Sequence, residues 1–162
     1  MNSSPKHASD AQGKSKRTDI SLDLSTAREM LPYVKVIVTD VVQTATKLTQ
    51  LNPEQEALDD SRRNLTWSNR QRRYAVHDEI RFAQETLSQA ESELDALGVK
   101  LASREEGAVD FPTQINGRPA AFSWQLGEDA LRYWHYAGEN LRRPIPTDWQ
   151  AAGTVSRYRS EP

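Results

Sequence analysis

Cysteine is absent from the 162 residues, which removes thiolate catalysis, disulfides and zinc–sulfur sites together. Long apolar runs are absent too. Nothing approaches the ~18 residues of a membrane-spanning helix, and the opening stretch MNSSPKHASDAQGKSKRTD lacks the apolar core of a signal peptide. The expectation is a cytoplasmic protein with no membrane contact, for which the Asn64-Leu65-Thr66 sequon has no use. Neither sign of charge dominates: 21 basic residues face 23 acidic ones, net -2, so charge alone points to no polyanion and no acidic substrate. Hydrophobic residues are 36% of the chain, below the usual ~45–50%, enough for one modest core. A Gly-rich phosphate loop, a nucleophile elbow and an HExxH motif are all missing, and His7 and His77 stand isolated. No cofactor is expected.

What is present reads as one domain with polar tails. Residues 1–18 are Ser/Lys-rich and without periodicity, the composition of a disordered tail. Ile20, Leu22 and Leu24 alternate with polar residues, the period of a short strand. Ser25 or Thr26 then caps a helix, with Glu29 completing a box with Thr26 and Pro32 marking a start or a kink. From Leu31 the apolar steps through Val34, Val38, Val41, Ala45 and Leu48 are 3, 4, 3, 4, 3, a coiled-coil seam. Its many β-branched residues favour a strand, but alternation is missing and the span is too long for one, so helix is predicted. Asn52-Pro53 should end it, and 53–66 should form a loop. A second seam runs through Val76, Ile80, Ala83, Leu87, Ala90, Leu94 and Leu97, with Gly98 as C-cap. Two such seams predict an antiparallel helical hairpin over 26–97.

After Gly98 the period changes to that of a β-meander over 99–137. Asn116-Gly117 is a strong two-residue hairpin signal, pairing Thr113 with Ala120, Phe111 with Phe122 and Val109 with Trp124. Gly127-Glu128, taken as a second such turn, pairs Trp124 with Leu131, Phe122 with Tyr133 and Ala120 with His135. Val109, Phe111, Phe122, Trp124, Leu126, Leu131 and Tyr133 then share one face. A helix over 129–137 capped by Gly138 is the alternative. Residues 147–162 read as a C-terminal tail. The fold class is α+β, a helical hairpin packed on a small antiparallel meander within 19–146.

Four stretches of this region resemble a known family. Gly107-Ala-Val-Asp-Phe-Pro112, Trp124-Gln-Leu-Gly-Glu128, Tyr133-Trp-His135 and Arg142-Arg-Pro-Ile145 are similar to the bacterial domain of unknown function 2203. Thr26 to Pro32 resembles its opening helix and Leu97 to Lys100 its helix exit, so the resemblance covers about 20–146. Two departures stand out. Ser123 occupies a place where the family usually has cysteine, and Glu139-Asn-Leu-Arg142 replaces a longer Gly-Phe-Ala-Gly run, so no thiol or glycine-loop role carries over. The resemblance agrees with the α+β reading and implies no activity.

Three groups of residues could carry function. Asp110, Glu128 and His135 are the types a metal-dependent hydrolase or an acid–base pair needs. The counted register sets them apart, with Asp110 on the polar face and His135 on the apolar one, where burial would lower the imidazole pKa. A polar row of Asp110, Ser123 and Arg132, flanked by Gln125, Trp134 and Tyr136, is a candidate contact surface, with Arg132 reaching across Ser123 to Asp110. Trp149 could fold back over that row. Trp124, Glu128, His135 and Arg143 complete the candidate binding residues. Arg62, Arg63, Arg70, Arg72 and Arg73 with Trp67 and Tyr74 could neutralise phosphates and stack bases, or form a solvated helix start balanced by nearby acids. The reading that follows is a non-catalytic interaction or regulatory domain with a protein partner. A nucleic-acid-binding accessory protein is the alternative, and a metal-dependent hydrolase the third. A homodimer is a further expectation if the surplus apolar residues Val36, Ile37 and Val42 are not covered by the sheet.

Overall fold

The computed structural model describes residues 20–150. The tail expected over 1–18 and most of that over 147–162 lie outside the described residues. Two long helices, α1 (Leu24–Asp60) and α2 (Trp67–Ala96), precede five strands: β1 (Lys100–Ser103), β2 (Ala108–Ile115), β3 (Arg118–Gln125), β4 (Tyr133–Tyr136) and β5 (Arg143–Pro144). The strands form one antiparallel sheet in the order β1-β2-β3-β4-β5. The α+β hairpin-on-meander architecture is the one the two periodicities predict, and 129–137 contains a strand rather than a helix.

The ends of α1 differ from expectation. Its cap is Asp23, whose carboxylate accepts the Thr26 N–H at 2.7 Å and is held below the ordinary carboxylate pKa by that bond. The alternating residues before it form no strand; Leu22 donates one backbone bond to the Pro112 carbonyl at 2.7 Å. Pro32 lies inside the helix, and Pro53 does not end it. An interior proline removes a hydrogen bond and costs about 3 kcal/mol, but the segment beyond Pro53 is tied sideways to α2. Leu51 packs with Val76 and Ile80, Glu54 takes Arg72 at 2.6 and 2.9 Å, Asp59 takes Arg73, and Gln55 meets His77 at 2.9 Å. The connector shrinks to 61–66, and Thr66 caps α2 by accepting the Asn69 N–H at 3.3 Å. Gly98 closes α2 as predicted, at φ +76° with Val99 donating back to the Leu94 carbonyl at 2.9 Å.

Both seams are buried against each other and against the sheet. Leu31, Val34, Val38 and Val41 of α1 join Leu87, Ala90 and Leu94 of α2 and the sheet residues Val109, Phe111, Phe122 and Trp124 in one core. Ile37 is buried there and Val42 packs on it, so the sheet side of α1 absorbs two of the three surplus apolar residues; Val36 stays exposed. Trp149 also belongs to this core, 5.4 Å from Trp134 ring to ring, so it covers the inner face and not the polar row. Beyond Val42 the helices run on as a two-helix arm with its own small core of Leu51, Val76 and Ile80, which contains no sheet residue.

Gly107 is where sheet and α1 come closest. Its φ is +64°, and a Cβ there would sit 2.8–2.9 Å from Leu126, Val38 and Val42 side-chain atoms. Gly107→Ala should therefore cost about 2 kcal/mol in urea unfolding, from left-handed strain plus overpacking. Gly117→Ala, at φ +71° with nothing nearby, should show the strain alone, about 1 kcal/mol. Equal losses would mean the close approach at Gly107 is not real.

Candidate functional site

The two hairpin turns behave differently, and the difference builds the site. β2 and β3 pair as counted: Val109 with Trp124, Phe111 with Phe122, Thr113 with Ala120. β3 and β4 do not. Phe122 faces Trp134, Ala121 faces His135 and Ser123 faces Tyr133, one residue off the expected register. Gly127-Glu128 is no two-residue hairpin. The chain turns at Gln125–Glu128, then sends Leu131 fully into the core before pairing resumes at Tyr133. A one-residue slip moves every side chain to the other face. Trp134 goes inward, 9% exposed, edge-on to Tyr136 with ring centroids 5.0 Å apart; Tyr133 and His135 go outward. The larger, more apolar indole wins the core, and the Tyr133 hydroxyl stays on the wet side.

His135 consequently meets Asp110, the contact the counted register forbade. Nε2 lies 3.0 Å from Asp110 Oδ1 and Nδ1 2.9 Å from the Tyr136 carbonyl oxygen. A carbonyl and a carboxylate can only accept, so the ring satisfies both by donating from both nitrogens, which is the imidazolium form. Burial pushes its pKa down, but the Asp110 and Tyr136 hydrogen bonds and the Asp110 charge outweigh burial and the opposing charge of Arg142. The pKa lies above the ordinary 6.5, reversing the lowered value expected from a core position. A raised folded-state pKa gives stability that is fully present below the unfolded value and is lost as pH rises through the folded one. Unfolding free energy should thus fall on going from mildly acid to neutral pH, and His135→Gln should flatten that slope. An NMR titration placing the ring below 6.5 would sink this assignment.

Glu128 and Arg142 form the second half of the cluster. Arg142 donates to both Glu128 oxygens at 2.8 and 2.9 Å and to the Ser123 carbonyl at 3.2 Å, and its guanidinium lies over the Tyr133 ring at 4.4 Å. Glu128 also accepts the Gln125 N–H at 3.0 Å, and its carbonyl takes the Trp124 indole N–H at 3.0 Å. Arg142 Nε is buried and has no hydrogen-bond partner among the described residues.

Of the residues singled out in the sequence, Asp110, Ser123, Glu128 and His135 come together on the outer face of the sheet. Trp124 and Trp134 belong to the core instead. Arg132 lies in the loop and pairs with Asp129 at 2.8 Å, so the predicted Arg132–Asp110 bridge does not form. Arg143 turns to the other side, 5.2 Å from the Trp134 ring, and donates to Glu139 at 2.7 Å. The residues missed are Arg142 and Tyr133. Strand parity would have found Tyr133, because it puts Tyr133 outside whenever Trp134 is inside; Arg142 precedes β5 and carries no such signal. No three His, Asp or Glu side chains among the described residues are grouped as metal ligands; Glu128, the third of the hydrolase set, is turned to Arg142.

The arginine cluster lies at the arm tip. Arg72 and Arg73 are neutralised by Glu54, Glu79 and Asp59, whereas Arg62 and Arg63 are exposed and form no ion pair among the described residues. Arg70 donates to the Leu65 carbonyl at 3.2 Å, and Trp67 is 72% exposed.

Fold and site together define an α+β domain whose sheet carries a histidine–carboxylate and an arginine–carboxylate pair on its outer face and a helical hairpin on its inner one. The chain belongs to the family of uncharacterized conserved proteins DUF2203, which matches residues 22–145. None of the curated proteins and none of the solved structures matches it. Among the described residues no helix is long and apolar enough to cross a membrane.

Proposed function

We propose that this chain is a non-catalytic interaction domain, acting in the cytoplasm, whose contact element is the projecting helical arm. The closed outer-face cluster carries this reading. Both nitrogens of His135 are occupied, and both Glu128 oxygens and both terminal nitrogens of Arg142 bind within the cluster. A general base needs a free lone pair within reach of its substrate, and this ring offers none. The cluster acts as a polar clamp joining β2, β3 and β4 to the 128–142 segment. Of the four exposed aromatics among the described residues, Trp67, Tyr74 and Phe82 lie along α2 and Tyr33 lies near the start of α1. A photo-crosslinking residue placed at 67 should capture a discrete macromolecule in the protein's own cell, equally in the His135→Gln background. A substrate turnover abolished by His135→Gln would overturn the proposal.

Nucleic acid as the partner is the second reading, favoured by Arg62 and Arg63, which form no ion pair among the described residues, and by an exposed Trp67. Arg62→Gln/Arg63→Gln/Arg70→Gln should then lower the salt slope for single-stranded binding by about 2, roughly 0.7 per lost phosphate contact. No retention of the parent on single-stranded DNA or RNA at low salt ends that reading.

A further inference from the structure

We propose that the outer face of α2 is a self-association surface on which a second copy of the chain lies antiparallel. The inference rests on the arm being a contact element and names its partner. Trp67, Tyr74 and Phe82 are 72%, 68% and 68% exposed. At about 100° per residue they fall within an arc of about 80°, on the side of α2 opposite Val76, Ile80 and Leu87. Three large exposed aromatics in one stripe are a contact surface in search of cover.

Charge decides what covers it. The ionic residues of α2 within the wider arc of about 120° that contains this stripe read Arg70, Asp78, Arg81, Glu85, alternating plus, minus, plus, minus. The arginines off the arc, Arg72 and Arg73, are already held by α1 acids. A polyanion would meet Asp78 and Glu85 head-on. A second α2 running antiparallel reverses the order and sets Arg70 beside the second copy's Glu85, with Asp78 at the axis and within one helical turn of the second copy's Arg81. Tyr74 then meets its Phe82. The midpoints of the Arg70–Glu85 and Tyr74–Phe82 pairs both fall at about residue 78, so a single two-fold axis satisfies the two together, as an isologous interface requires. A parallel copy in register would set like charge on like. The existing Asp78–Arg81 contact within the helix, at 3.1 Å with both side chains 72% exposed, is too solvated to hold these groups back.

Sedimentation equilibrium of the full chain at high micromolar concentration should give twice the 18.3 kDa chain mass. Trp67→Ser/Tyr74→Ser/Phe82→Ser should return the single-chain mass while keeping the parent's helical circular dichroism, since none of the three is in a core. Because the chain has no native thiol, Arg70→Cys and Glu85→Cys variants should form a disulfide-linked dimer when mixed and little when alone. A parent that stays at the chain mass overturns the proposal, as does a dimer that survives the triple substitution or crosslinking of each variant alone as strongly as the mixture. A monomeric parent shifted by single-stranded oligonucleotide would remove the second copy yet keep the arm as contact element. A monomeric parent with no cellular crosslink from position 67 would remove both.

Discussion

Leu87→Asp should unfold the protein or cost about 3–5 kcal/mol, a large part of the ~5–15 kcal/mol that holds a domain of this size together. Leu87 is 6% exposed and sits where α2, α1 and the sheet share one core. A carboxylate there finds no cation among its apolar neighbours and must either be buried unpaired or force the helices apart. Urea unfolding followed by circular dichroism measures the loss. Gln84→Asp is the control three residues earlier, exposed and off the aromatic stripe, and should stay within about 0.5 kcal/mol of the parent. If the two variants melt alike, the packing of the hairpin on the sheet is wrong.

Arg142→Leu should cost about 3 kcal/mol, and the double variant Arg142→Leu/Glu128→Leu less than the sum of the two single changes. Side-chain exposures of 30% and 24% leave this pair partly desolvated, with two parallel hydrogen bonds and an aromatic ring under the guanidinium. Removing the cation alone strands Glu128 against the Gln125 N–H and little else. A double-mutant cycle on unfolding free energy should give a coupling above about 1 kcal/mol. Coupling near zero would mean that the clamp is not formed in solution. By contrast the arm pairs such as Arg81–Asp78 are mostly solvated and should be nearly silent in the same measurement.

The amino-acid sequence alone determined the two helices, their antiparallel pairing and the first hairpin. Each rests on a local, repeated signal: the 3-4 apolar spacing from Leu31 to Leu48 and from Val76 to Leu97, and Asn116-Gly117, whose positive φ values of 54° and 71° suit a two-residue turn. The family resemblance likewise needed only the order of residues. Where α1 ends was decided by tertiary contacts, because the ion pairs and Leu51 packing across to α2 outweigh the break expected at Pro53. The candidate site was decided there too. Gly127-Glu128 carries the composition of a tight turn, yet Leu131 reaching the core and Arg142 gripping Glu128 open it into a longer loop. That shifts β4 by one residue, sends Trp134 inward and brings His135 to Asp110. Side chains on a strand alternate with a period of two, so a single residue of loop length fixes which face each presents. Burial of Leu131 and of the Trp134 indole set that length, and both depend on a core built largely from residues far away in the chain.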